Sequence, residues 1–128
     1  MIRYAYNQQV APAAPFLHVT LRRADGTAEL PETPALVDTA ADKTVVPWRV
    51  VEELQLAPVR TLSVTGFGGV VTSVPAFLIQ AVFRTMRPVL VEVLASPGER
   101  YVLVGRDLLN TYRIVLDGPE LLMEVEQL

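Results

Sequence analysis

The sequence predicts an all-β fold with one or two short helices, and three observations carry that expectation. Ten prolines and seven glycines cut the apolar material into short runs, which suits strands joined by turns better than a helical bundle. Leu17 to Arg22 alternates, with Leu17, Val19 and Leu21 on one face and His18, Thr20 and Arg22 on the other. That is the period of a half-buried strand. Asp25-Gly26 and Asp117-Gly118-Pro119 supply hairpin turns between such runs.

The elements follow in order. Residues 1–15 read as an extended amino-terminal arm or, over the alanine- and proline-rich Val10 to Pro15, an edge strand. The strand at Leu17 to Arg22 turns at Asp25-Gly26 and returns from about Ala28 to Val37, delivering Asp38. Pro47 suits the first turn of a short helix, in which Val50, Val51 and Leu54 share a face and which ends near Leu56. Leu62 and Val64 lead into Gly66-Phe67-Gly68-Gly69, and Val70-Val71 return toward Pro75, a long hairpin with a glycine tip. Phe77 to Arg84 is apolar on both faces and reads as a central strand. Val89 to Leu94 is another strand, Tyr101 to Val104 a third, and Asp107 to Asn110 a short helix. Arg113 to Leu116 and Leu121 to Val125 close the chain as a hairpin.

Length and composition bound the function. At 128 residues the chain is one domain, 1–128, large enough for a single core. A hydrophobic content of 51% with 20% charged residues is globular. The net charge is −3 with Lys and Arg scattered, which argues against nucleic acid or an anionic membrane as partner. The absence of cysteine removes disulfides, thiolate catalysis and thiolate metal sites. His18 is the only histidine, and one imidazole without thiols makes no zinc site. It has no nucleophile motif to serve in a serine triad. The expectation is therefore no metal and no cofactor. No apolar run approaches the roughly 18 residues of a membrane helix, and no secretory signal is evident, so the chain reads as cytoplasmic.

Two stretches carry chemistry. Ala35 to Pro47 reads A-L-V-D-T-A-A-D-K-T-V-V-P: an apolar strand stops on Asp38, at the rim of a core, where a carboxyl group can be perturbed. An ordinary solvated Asp turn has the same local pattern. Val102 to Leu109 reads V-L-V-G-R-D-L-L. Together the two stretches resemble the signatures of the retroviral-type (retropepsin-like) aspartic proteases: an apolar run, D-T-G or D-S-G, then A-D-x-T, and later apolar residues before G-R-[DN]-L-L. The resemblance spans roughly Phe16 to Leu116. Ala40 is its one departure, standing where the family has glycine.

The resemblance implies a half-barrel with one or two short helices, closed by homodimerisation. Peptide hydrolysis by carboxylates needs two of them sharing a proton around a water, and only Asp38 has the required setting. A second copy of Asp38 must then come from a second chain. By the same resemblance Asp38 is the catalytic carboxylate, Thr39 ties the two loops together, and Ala40 bears on whether catalysis survives. Gly66, Phe67, Gly68 and Gly69 form the flap over a peptide or unfolded protein substrate. Asp42 pairs with Arg106 behind the site and can meet substrate backbone. Terminal strands unpaired within one chain would be partners across the two-fold axis. The function implied is a homodimeric aspartic endopeptidase. The alternative is a catalytically silent module of the same fold, used for dimerisation or peptide binding.

Overall fold

The computed structural model describes the backbone of all 128 residues and every side chain except that of Phe67. Ten strands form two sheets: β1 (Ile2–Ala5), β2 (Phe16–Arg23), β3 (Glu29–Val37), β4 (Val45–Pro47), β5 (Arg60–Thr65), β6 (Val71–Val82), β7 (Val89–Ser96), β8 (Val102–Val104), β9 (Tyr112–Asp117) and β10 (Leu122–Gln127). Two short helices, α1 (Trp48–Glu53) and α2 (Arg106–Leu109), follow β4 and β8. The expected helix after Pro47 and the expected helix around Asp107 are both present; the first ends at Glu53, three residues short of the expected Leu56, and the second is displaced by one residue. Among the described residues no helix is long and apolar enough to cross a membrane.

The larger sheet runs β2-β3-β8-β4-β7-β6-β5, and β6 pairs back with β2. Six strands thus close into a barrel, with β5 hanging from β6 as an outer strand. The alternation read in Leu17 to Arg22 is what fills it: Leu17, Val19 and Leu21 are buried while His18 is exposed. Across the barrel Phe77, Ile79 and Ala81 of β6 meet Val91, Val93 and Ala95 of β7 and Val102 and Val104 of β8. β6 has partners on both edges, as a central strand should, although Leu78 on its outer face is partly exposed. Val50, Val51 and Leu54 of the α1 region plug one side of the same core.

The smaller sheet has the order β1-β10-β9. Its inner face adds Tyr4, Met123 and Val125 to the core. Here the expectation of unpaired terminal strands is overturned. β1 pairs antiparallel with β10 inside the chain, from Ile2 opposite Val125 to Ala5 opposite Leu122. The reason lies in the carboxyl-terminal hairpin: β9 takes one edge of β10, and the remaining edge would expose a row of backbone donors and acceptors that β1 covers. Residues 6–15 lie against the same body. Asn7 and Ala14 form an isolated bridge, and the Val37 N–H donates to the Pro15 carbonyl at 3.1 Å.

The topology that positions the site is the insertion of β8 between β3 and β4. β8 runs parallel to β3, Ala35 to Val37 facing Val102 to Val104, and antiparallel to β4 through Val45 and Leu103. The loop joining β3 to β4 must therefore arch over the end of β8. That loop is residues 38–44.

Candidate active site

The 38–44 loop begins where the β3 ladder ends. The Asp38 N–H makes the last rung, donating to the Val104 carbonyl at 3.0 Å. The half-buried Asp38 side chain then folds over its own loop, and Oδ1 accepts the Ala40 N–H at 3.1 Å. The Asp38 carbonyl accepts the Ala41 N–H at 3.2 Å. Asp38 thus holds the loop's first turn through both its carboxylate and its main chain, as aspartates at turns do. Ala40 is not among the non-glycine residues with positive φ, so its methyl group meets no left-handed backbone penalty.

Arg106 supports the loop from below. Its backbone N–H donates to the Ala41 carbonyl at 2.9 Å, and its Nη1 to the Thr39 carbonyl at 2.8 Å. Its Nη2 is paired with Asp42 Oδ1. The two residues anticipated as a pair are brought together, but in solvent: Asp42 is 85% and Arg106 45% exposed along the side chain. Among an exposed pair's contributions, Coulomb attraction is the small one. The directional contact to Thr39 fixes the loop more firmly. Thr39 itself is exposed within one chain.

A deeper network lies beneath, and the sequence reading did not anticipate it. The Asp107 carboxylate accepts the Thr44 N–H at 3.0 Å, the Thr44 hydroxyl at 2.7 Å and the Leu108 N–H at 2.9 Å. Thr44 Oγ1 in turn accepts the Gly105 N–H at 3.1 Å, and Thr44 is only 1% exposed. Gly105 is fitted so closely that a Cβ there would lie 2.6 Å from the Lys43 carbonyl carbon and 2.7 Å from its oxygen. The one sequence clue was a threonine in the otherwise apolar run 44–47 that would need a partner once buried.

In front of the loop is an open cleft of about 600 Å³, lined by Ala40 to Lys43, Val45, Leu94 and Leu62 to Thr65 of β5. Asp38 stands at the start of the loop and is not among the cleft walls. The β5–β6 hairpin forms the opposite wall. Its strands stay paired out to Thr65 and Val71, and the tip turns at Gly68 and Gly69, with φ of 83° and 78°. Of the four tip residues anticipated as substrate contacts, Gly66, Gly68 and Gly69 are exposed, and the Phe67 side chain lies outside the described residues.

One charged cluster joins the hairpin to the loop. Glu92 of β7 receives Arg60 on both oxygens, at 2.7 to 3.0 Å, and Lys43 Nζ on Oε1 at 3.2 Å. The Arg60 hydrogen bonds chiefly hold the Glu92 carboxyl below its ordinary range. Elsewhere burial pushes the Tyr112 phenol up to about 12.

This closed barrel, with β8 threaded under an aspartate loop, has the retropepsin-like aspartic protease fold. No protein-family model matches the sequence, and no curated protein matches it. Among solved structures, a retropepsin-like aspartic protease from Rickettsia conorii aligns over 98% of this chain and 90% of its own, at TM-score 0.66 and 13% identity. The EIAV protease, complexed with the inhibitor HBY-793, aligns over 84% of this chain and 92% of its own, at TM-score 0.53 and 24% identity. The retroviral protease-like domain of Ddi1 from Leishmania major covers 88% and 94%, at TM-score 0.52 and 15% identity. Likeness at these identities bears on the fold, and it supports the resemblance carried by the two motifs.

Proposed function

We propose that the chain is an aspartic endopeptidase whose active site forms between two copies, each supplying one Asp38. The observation that carries this is the loop geometry. A half-buried carboxylate caps the exit of a core strand, and Arg106 and Asp107 anchor its loop from below. Two such carboxylates around a water would act as base and acid: one takes the water's proton while the other hydrogen-bonds the scissile carbonyl. The β5–β6 hairpin would serve as the flap over an extended peptide in the cleft.

The second copy docks, on this reading, along the smaller sheet. Among the described residues no strand pairs with the outer edge of β9, and Val115 and Leu116 of that strand are exposed. An open edge beside apolar side chains is a natural site for strand pairing. Sedimentation should report about twice 14.1 kDa at micromolar concentration. A strict monomer that cleaved peptide through Asp38 would contradict this.

The test of activity is cleavage of an unfolded protein across the acid range. Two close carboxylates share a proton and work only in the singly protonated state, so the rate should pass through a maximum on the acid side of neutrality. Asp38→Asn should lower it by at least about 10²–10⁴-fold, the usual contribution of a positioned acid or base. Ala40→Gly should preserve or raise it. The silent module is the second reading, and the Ala40 methyl in the cleft wall favours it. It prevails if no Asp38-dependent cleavage is seen and Ala40→Gly restores none.

A further inference from the structure

The charges around the cleft are unevenly matched. Asp42 and Arg106 neutralise one another. On the adjoining wall Lys43 and Arg60 share a single carboxylate, Glu92, so that this cluster of three carries one net positive charge. That positive charge is confined to the cluster, since the adjoining turns carry the Asp38 and Asp107 carboxylates and the chain's net charge is −3. Lys43, unlike Arg60, lines the cleft. Arg60 occupies both Glu92 oxygens in a two-point contact, whereas Lys43 reaches one oxygen at 3.2 Å. An ammonium group has three donors, and the Lys43 side chain remains 34% exposed while lining the cleft. Glu92, at 22% exposure, is set deeper than either cation.

The rest of the lining is mostly aliphatic, through Ala40, Ala41, Val45, Leu62, Val64 and Leu94, with the Ser63 and Thr65 side chains and Asp42, whose carboxylate is paired with Arg106. A peptide side chain entering beside Lys43 would meet aliphatic groups along its stem and an incompletely paired ammonium at its end. We infer that Lys43 is a specificity-determining residue that selects peptides carrying a glutamate or aspartate at the position seated beside it. A carboxylate there gains a charge-assisted hydrogen bond. A lysine or arginine would face like charge, which is how a site excludes as well as selects. This inference rests on the cleft being the peptide site of the proposed endopeptidase, but not on catalysis.

The test uses the full-length chain and three sets of fluorescein-labelled decapeptides built from Ala, Val, Leu and Phe, with Glu, Gln or Lys scanned through each position. Binding is read by anisotropy on Asp38→Asn, and cleavage on the unsubstituted protein. At one position Glu should bind roughly tenfold more tightly than Gln, the scale of a hydrogen bond to a charged group, with Lys weaker than both. The preference should shrink as salt rises, because the contact is partly exposed. Lys43→Met should bring the Glu-to-Gln ratio to about one, Lys43→Arg should keep it, and Lys43→Glu should transfer the preference to Lys. Circular dichroism and melting of each variant identify any that fail to fold. If the unsubstituted protein cleaves through Asp38 with equal preference for Glu and Gln, the specificity inference fails and the protease reading stands. Glutamate-selective binding that Lys43→Met abolishes, without cleavage, has the opposite meaning. A ratio unchanged in folded Lys43→Met, or no binding of any peptide, overturns the inference.

Discussion

Two strand–turn units lie side by side in this molecule, and they use a similar local pattern for opposite ends. β3 runs into Asp38 and β8 runs into Gly105, and the two strands are parallel neighbours. After β3 the first half of the loop turns outward: Ala40 and Asp42 line the cleft, and Thr39 is exposed. After β8 they turn inward: Gly105 and Asp107 are bound to the buried Thr44. The outward loop would be poorly defined alone, since its main ion pair is in solvent. Its precision is borrowed from the inward one. An exposed loop can stay ordered because a second, buried turn holds its backbone.

Substitutions that break the inward turn should therefore cost most in stability. Gly105→Ala has the largest expected effect, because the new methyl group meets backbone atoms of Lys43 and Thr44 that cannot swing away. The loss should be about 3 kcal/mol or more, above the usual range for overpacking, read from denaturant titration. Asp107→Ala comes next. It strands the Thr44 N–H and hydroxyl in the interior, at about 2–3 kcal/mol, and should lower activity through the loop even where the protein remains folded.

Tyr112, just past α2, sharpens the comparison, because its hydroxyl is buried without a hydrogen-bond partner among the described residues. Tyr112→Phe should be neutral or stabilising by about 1 kcal/mol, so loss of a polar atom near the inward turn is harmful only when the atom is bonded. The pH dependence has a definite sign. The folded-state pKa, about 12, is raised above its ordinary value of 10.0, chiefly by burial. Stability from keeping the phenol protonated is then complete below about pH 10 and is lost as pH rises toward about 12. Tyr112→Phe should remove that part of the alkaline loss. Thermal melts of both proteins across this range check it.

The smallest effect on stability belongs to the outward loop. Arg106→Ala breaks an exposed pair and should cost about 1 kcal/mol or less. It also releases the Thr39 carbonyl, so activity should fall by more than the stability change accounts for. A loss of several kcal/mol would mean that the two turns share the structural load.

This division explains what could be read in the sequence. Asp38 was legible because a strand, a carboxylate and a turn are consecutive, and Arg106 because its motif is local too. The β5–β6 hairpin and both short helices announced themselves through glycine, proline and apolar spacing. Thr44 and Asp107 are 63 positions apart, and they meet only because β8 threads between β3 and β4. No local pattern encodes that insertion. The pairing of β1 with β10 was hidden for a related reason. Ile2 to Ala5 has too short an alternation to show a strand, and its partner lies at the other end of the chain.

The central claim is that one site needs Asp38 from two chains. Its most direct test is to co-refold unsubstituted and Asp38→Asn chains at constant total concentration and measure cleavage against the fraction unsubstituted. A shared site loses activity in every mixed pair, so the rate should follow the square of that fraction. A rate linear in the fraction would show that each chain carries its own complete site, and would contradict the account.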